Sequence, residues 1–387
     1  MRRPAALERG PFREGSFPSR LHDERVAAIL GCALGLTFTV CFLTGLYSHL
    51  AQHPASWFQL PSRPAGLYRV TQGVHVATGI ASIPLLLAKL WVVYPKLFSW
   101  PPFTSVAHFI ERVSLLPLIG GGLFMLFTGL ANINLWYPWP FNFPVTHYWA
   151  AWITIGALVV HVGAKWASTR DALRRHPSTD APPMVDSADR VDRRQFLATV
   201  FGTSGLLTLF TVGQTFRPLT RLALLAPRRA DVGPQGFPVN RTARAAGVLE
   251  SARAPDFRLT VTGRVRHPVS VSLEEFHGMR WHSAELPIAC VEGWSTSQRW
   301  TGVRVRDLLA LAGARPDAAV RVESLQLHRS YRTSDLNPWQ AHDPDTLLAT
   351  LVNDAPLALD HGYPLRLIGP DRPGVMQTKW VTRLVVR

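Results

Sequence analysis

His147 and His161 stand 14 residues apart in one apolar stretch of this 387-residue chain. At 100° per residue that interval is close to four helical turns, so both rings share a helix face, roughly 21 Å apart along the axis. A histidine inside an apolar span is costly unless it has a partner or a ligand. Haem iron takes imidazole nitrogens axially, and two-histidine ligation leaves no open position, which favours electron transfer over oxygen chemistry. The spacing therefore predicts two b-type haems, one near each membrane face. Each needs a second histidine at matching depth. His75, on the outer side of its own apolar run, is the expected partner of His147, and His108, at the inner start of the next run, that of His161. His49 competes for the outer position and His22 for the inner one. A second kind of chemistry rests on Cys290. Of three cysteines, Cys32 and Cys41 fall in the first apolar run and read as packing residues. Cys290 is alone in the rest of the chain, so no disulfide forms there. It is either a small buried hydrophobe or a soft thiolate ligand for a redox metal.

The elements that must position these residues divide the chain in two. A membrane-crossing helix needs roughly 20 apolar residues. Five runs qualify: Val26 to Tyr47, Val70 to Tyr94, Val106 to Ile133, Thr146 to Trp166 and Phe196 to Phe216. The chain carries 41 Lys and Arg and a net charge of +15 beside 47% hydrophobic residues. The basic residues cluster between alternate runs, including Arg170, Arg174, Arg175, Arg190, Arg193 and Arg194, so the charge reads as membrane topology rather than nucleic-acid binding. Ala131 to Tyr148 has no Lys or Arg and is rich in aromatics, as an interface belt on the opposite side would be. The N-terminus is expected in the cytoplasm and the C-terminal half in the periplasm of a bacterial inner membrane. Arg193-Arg194-Gln195-Phe196-Leu197, at the start of the fifth run, is similar to a twin-arginine export signal.

The expected plan is a cytoplasmic tail (1–25), a four-helix membrane cytochrome domain (26–175), a cytoplasmic loop with the fifth span (176–216), a linker that becomes a docking segment (217–255) and a soluble α+β domain (256–387). Phe257 to Val265 alternates as a strand does. Val305 to Ala312 reads as a short helix ending at Gly313.

The membrane half resembles bacterial cytochrome b subunits that serve periplasmic dehydrogenases and reductases. The resemblance rests on His75, the His147 and His161 spacing, and the small pairs Thr44-Gly45, Thr78-Gly79 and Thr128-Gly129. In the soluble half, Leu286-Pro287-Ile288-Ala289-Cys290-Val291-Glu292-Gly293-Trp294, then Trp300-Thr301-Gly302 and Asp307-Leu308-Leu309, resembles the cofactor loop of the sulfite oxidase family of molybdenum enzymes. Leu347-Leu348-Ala349, His361-Gly362-Tyr363-Pro364-Leu365-Arg366 and Lys379-Trp380-Val381 extend the match over roughly residues 257 to 387. The resemblance implies molybdenum on Cys290 beside a pterin dithiolene, with His361, Arg366 and Lys379 gripping the pterin phosphate, and Asn240 and Arg241 contacting the cofactor. It also implies a layout close to the compact periplasmic members, with the dimerisation and soluble haem domains of animal and plant sulfite oxidases missing.

Together these features predict a five-span α-helical membrane bundle followed by a sulfite oxidase-like domain. Its expected role is a membrane-anchored molybdopterin-dependent oxidoreductase acting on a small periplasmic substrate and exchanging electrons through haem b with quinone. The alternative is a transmembrane electron conduit or sensor whose soluble domain has lost catalysis.

Overall fold

The structure, a computed structural model, describes residues 19, 21–55, 57–98, 101, 104–174, 192–327 and 331–387. Most of the expected tail, and the loop holding Arg175 and Arg190, lie outside the described residues. Five helices are long and apolar enough to cross a membrane: α1 (Glu24–Gln52), α2 (Leu67–Leu97), α3 (Val106–Ile133), α4 (Phe143–Arg174) and α5 (Arg193–Val212). They overlap the five apolar runs: α1, α2 and α4 reach further into their polar flanks, α3 has the expected bounds, and α5 starts earlier but stops short of the expected Phe216. At the start of α3 the Ser105 hydroxyl accepts from the backbone N–H of His108. Such a set of helices is compatible with a multi-pass membrane protein.

The chain forms two compact units, and the first two helices contribute to both. One unit comprises 1–43 and 75–210; the other comprises 44–74 and 211–387. In the first, Val26, Leu30, Leu34, Leu85, Leu86, Val92 and Val200 pack into an apolar cluster. Large apolar side chains such as Leu116, Ile153, Val159 and Trp166 face outward, as a lipid-facing surface requires.

The second unit is α/β with two sheets. The first sheet is ordered β2 (Val269–Ser272), β1 (Arg258–Gly263), β10 (Val381–Val386), β5 (Val320–Ser324), β6 (Thr333–Leu336). Only the β1–β10 pairing is parallel. The second sheet runs β3 (His282–Ala289), β4 (Ser295–Arg304), β7 (Leu347–Val352), β8 (Ala355–Pro356), with β9 (Arg366–Ile368) also on β7. Leu259, Val261, Phe276, Val305, Leu308, Val322 and Leu384 fill one core. Phe237, Leu286, Ile288, Cys290, Trp294, Trp300 and Ile368 fill another. The strand expected over Phe257 to Val265 is β1, and the short helix spans Val305–Leu311, with Gly313 left-handed behind it at φ 67°. Ala243, Val248 and Ala252 are buried against Trp380.

Candidate functional site

Cys290 sits in the turn between β3 and β4, where sequence requires the chain to reverse within five residues. The turn closes on itself: the Cys290 N–H donates to the Trp294 carbonyl at 2.9 Å, and the Gly293 N–H to the Cys290 carbonyl at 3.0 Å. On its other side, Ala289 bridges in parallel to Pro373. The sulfur is 2% exposed. Asn240, 50 residues earlier, donates from Nδ2 to it at 2.8 Å. Two residues on, Glu292 is buried and paired with Arg228 at 3.2 Å, while the Trp294 indole N–H donates to it. Burial, with Glu292's charge beside it, pushes the Cys290 thiol up to about 12. Burial also raises the Glu292 carboxyl, against the pull of Arg228.

Arg366, Lys379 and His361 converge on the far edge of the same core. Arg366 leaves β7's neighbour β9 fully buried, its Nη1 donating to the His361 carbonyl at 3.0 Å and its guanidinium lying over the Trp300 ring at 5.4 Å. Its Nε has no hydrogen-bond partner. Burial lowers Arg366 to about 9. Lys379 donates to the carbonyls of Arg241 and Asp360, both at 2.7 Å. Burial first, then Arg366, holds Lys379 well below the usual lysine range. Gly362 makes the convergence possible: it is left-handed (φ 114°), and a Cβ there would lie 3.1–3.2 Å from the Cβ atoms of Lys379 and Arg366. His361 stacks on Phe237 at 3.7 Å, and its Nε2 faces the Pro234 carbonyl at 2.7 Å. Burial lowers His361 to about 4, so the ring is neutral and its Nε2–H donates to the Pro234 carbonyl.

In the helical unit, His75 and His147 come together. Their ring centroids are 6.4 Å apart. Two imidazoles this close are residues that could hold a haem iron, were one bound. Each ring's Nδ1 is already engaged: His75 with the Cys41 carbonyl at 2.8 Å, His147 with the Thr128 hydroxyl at 2.8 Å. A hydrogen bond at Nδ1 fixes which tautomer a ring adopts. Cys41, expected as a packing residue, thus holds His75, and Cys32 is exposed. His49 instead stacks on His53 at 4.6 Å. His161 has a buried Nδ1 with no partner. His108 turns its Nδ1 to the hydroxyl of Thr104 in its own helix cap, and the His22 Nδ1 meets the Val92 carbonyl at 3.0 Å. Neither is in a geometry like that of the His75 and His147 pair.

The family model described as the oxidoreductase molybdopterin binding domain matches residues 246–387. The C-terminal unit carries a molybdopterin-binding oxidoreductase domain. Mitochondrial sulfite oxidase of Drosophila melanogaster is 36% identical over 163 residues, covering 34% of this chain and 27% of that protein. A candidate protein-methionine-sulfoxide reductase subunit, YedZ1, of Azospira oryzae is 31% identical over 133 residues, covering 34% of this chain and 50% of that protein. The sulfane dehydrogenase SoxCD of Paracoccus pantotrophus aligns in structure with a TM-score of 0.32 at 26% identity, over 34% of this chain and 38% of that one. The chain thus spans half or less of the length of these relatives.

The molybdopterin-binding domain has the donor set its cofactor asks for. A buried soft thiol stands ready as a metal ligand. Buried Arg366 and Lys379 bring positive charge together with an unpartnered Arg366 Nε–H, which an anionic phosphate would satisfy. Sequence reasoning missed Arg228, Glu292 and Asp371. Asp371 is 2% exposed and accepts from the Tyr68 N–H at 2.6 Å and the Tyr47 hydroxyl at 2.8 Å. Its one sequence signal is a charged pair inside Gly369-Pro370-Asp371-Arg372-Pro373-Gly374. A cavity of about 320 Å³ lined by Ala51, Phe58, Leu60, Asn337, Arg372 and Met376 includes none of the candidate cofactor residues.

Proposed function

We propose that the chain is a membrane-anchored molybdopterin-dependent oxidoreductase that exchanges electrons through b-type haem with a membrane quinone. The observation that carries it is a conjunction in one chain. A molybdopterin-binding domain with a buried cysteine is joined to apolar helices in which the rings of His75 and His147 lie 6.4 Å apart.

Cys290 supplies the thiolate ligand, and Asn240 orients and stabilises it. Arg366 and Lys379 hold the phosphate end of the cofactor, with His361 fixing Arg366 through its own carbonyl. When bound, the molybdenum cofactor supplies oxygen-atom or two-electron chemistry on a small substrate. His75 and His147 hold the outer haem. His161, with His108, is assigned to the inner one on depth along the helices. The positive-inside pattern and the Arg193-Arg194 start of α5 support a C-terminal domain in the periplasm of a bacterial inner membrane. Lipid surrounds the exposed apolar faces.

The test is a metal, pterin and optical analysis of the purified full-length chain. Molybdenum, pterin and a b-type reduced-minus-oxidised spectrum are the expected result. A preparation that oxidises or reduces substrate while lacking both cofactors contradicts the proposal.

A further inference from the structure

The side-chain amide of Asn240 has two ends, and only one of them suits a thiolate. Its Nδ2 carries the hydrogens and lies 2.8 Å from the Cys290 sulfur. Its Oδ1 accepts from Nη1 of Arg228 at 3.3 Å. A guanidinium offers donors and no acceptor, so the amide must turn its oxygen to Arg228 and its hydrogens to the sulfur. Cys290 does not impose that sense by itself, because a free thiol is both a weak donor and a weak acceptor. Arg228 is held in turn on two sides. The same Nη1 donates to the Val239 carbonyl at 3.2 Å, beside Asn240. Its Nε lies 3.2 Å from the Glu292 carboxylate, which also accepts from the Trp294 indole. Glu292 is only 6% exposed, so its position is fixed by the cysteine turn. Arg228 and Asn240 come from the segment ahead of the molybdopterin-binding domain, and Cys290, Glu292 and Trp294 from within it. All five belong to one compact unit.

We infer that Arg228 sets the sense of the Asn240 amide, so that a hydrogen-bond donor faces the Cys290 sulfur before any metal is bound. This rests on the functional reading above, in which Cys290 is the protein ligand of molybdenum. Glu292 anchors Arg228 to the turn that carries the sulfur. The planar guanidinium fixes its donors relative to one another, so one side chain serves Glu292 and Asn240 together; a lysine ammonium lacks that fork. A donor already in place spares the site the cost of ordering it when the thiolate forms. Arg228 acts through Asn240 and is a positioning residue.

The test is a double-mutant cycle in the full chain, which separates an effect passing through Asn240 from a direct effect of the Arg228 charge. Wild type, Arg228→Met, Asn240→Leu and the double variant are compared. Two readouts are taken: molybdenum retained against a chelator, and the paramagnetic signal of the half-reduced metal. Melting temperatures report on the fold. With Asn240 present, Arg228→Met is expected to lower retention about 10- to 100-fold and to shift the signal. In the Asn240→Leu background the same change should add little to either readout. Equal losses in the two backgrounds overturn the inference, because Arg228 then acts through charge or fold alone. Wild-type retention and signal in Arg228→Met overturn it as well. Where Arg228→Met does not fold or load, Arg228→Lys takes its place in the same cycle, keeping the charge beside Glu292 and losing the fork. A wild-type chain that carries no molybdenum overturns the functional reading, and the inference with it.

Discussion

The side-chain amide of Asn240 points its hydrogen at the sulfur of Cys290, 2.8 Å away. A thiolate in a buried site needs a donor, because burial alone opposes its charge. Hydrogen bonds to a metal's ligands typically carry about 10- to 100-fold in metal affinity or activity. Asn240→Leu is therefore expected to lower molybdenum content or turnover by that order while leaving the haem spectrum intact. Metal analysis beside steady-state kinetics checks it; unchanged values in both remove Asn240 from the site.

His147→Ala is expected to abolish the outer haem, with loss of about half the b-type signal where two haems are bound. Thr128→Val deletes only the partner of its Nδ1. Haem should then stay bound with a shifted midpoint potential, because the ring loses the bond that fixes its tautomer. Redox titration of the two variants separates these effects. A full wild-type spectrum in His147→Ala refutes the assignment.

Arg366 is buried, and its Nε has no hydrogen-bond partner among the described residues. A hydrogen bond to a charged group contributes about 1.5–3 kcal/mol, so Arg366→Met should weaken pterin binding roughly 10- to 100-fold. The same change removes a buried cation from the cofactor-free protein, where its melting temperature should hold or rise. Pterin analysis and thermal melts of protein produced without cofactor test both halves. Full pterin loading in the variant excludes the phosphate role.

Burial raises the Asp371 carboxyl from 3.8 to about 6, against the hydrogen bonds from Tyr47 and Tyr68. Between those values the folded chain binds more protons than the unfolded one. Its contribution is therefore present at low pH and is lost as pH rises through about 6. His361, lowered from 6.5 to about 4, acts in the opposite sense over an overlapping range. Asp371→Asn isolates the first effect. The wild-type melting temperature relative to the variant should fall as pH rises from about 4 to about 6, then level off. A difference independent of pH contradicts it.

The parts of this molecule carried by local sequence were legible in it. Long apolar runs coincide with α1 to α5, since a helix satisfies its backbone hydrogen bonds within the run itself. The turn around Cys290 closes on near neighbours, Cys290 with Trp294 and Gly293 with Cys290. Distant partners could not be read. Tyr68 meets Asp371 across 303 residues, Gln72 meets Val291 across 219, and Arg63 meets Asp343 across 280. No spacing rule reaches that far. The His361 ring is another such case, since it meets the Pro234 carbonyl across 127 residues.

The central claim, that Cys290 is a ligand of molybdenum in this chain, is tested most directly by X-ray absorption at the molybdenum edge. Wild type and Cys290→Ser are compared, each with its haem spectrum recorded. Serine replaces a soft thiolate with a hard, poorly acidic hydroxyl, while Arg366 and Lys379 still hold the cofactor. The account predicts that the variant keeps its haems and some molybdenum, loses one sulfur from the metal's shell, and turns over orders of magnitude more slowly. An unchanged sulfur shell at wild-type turnover would contradict it and leave Cys290 a packing residue.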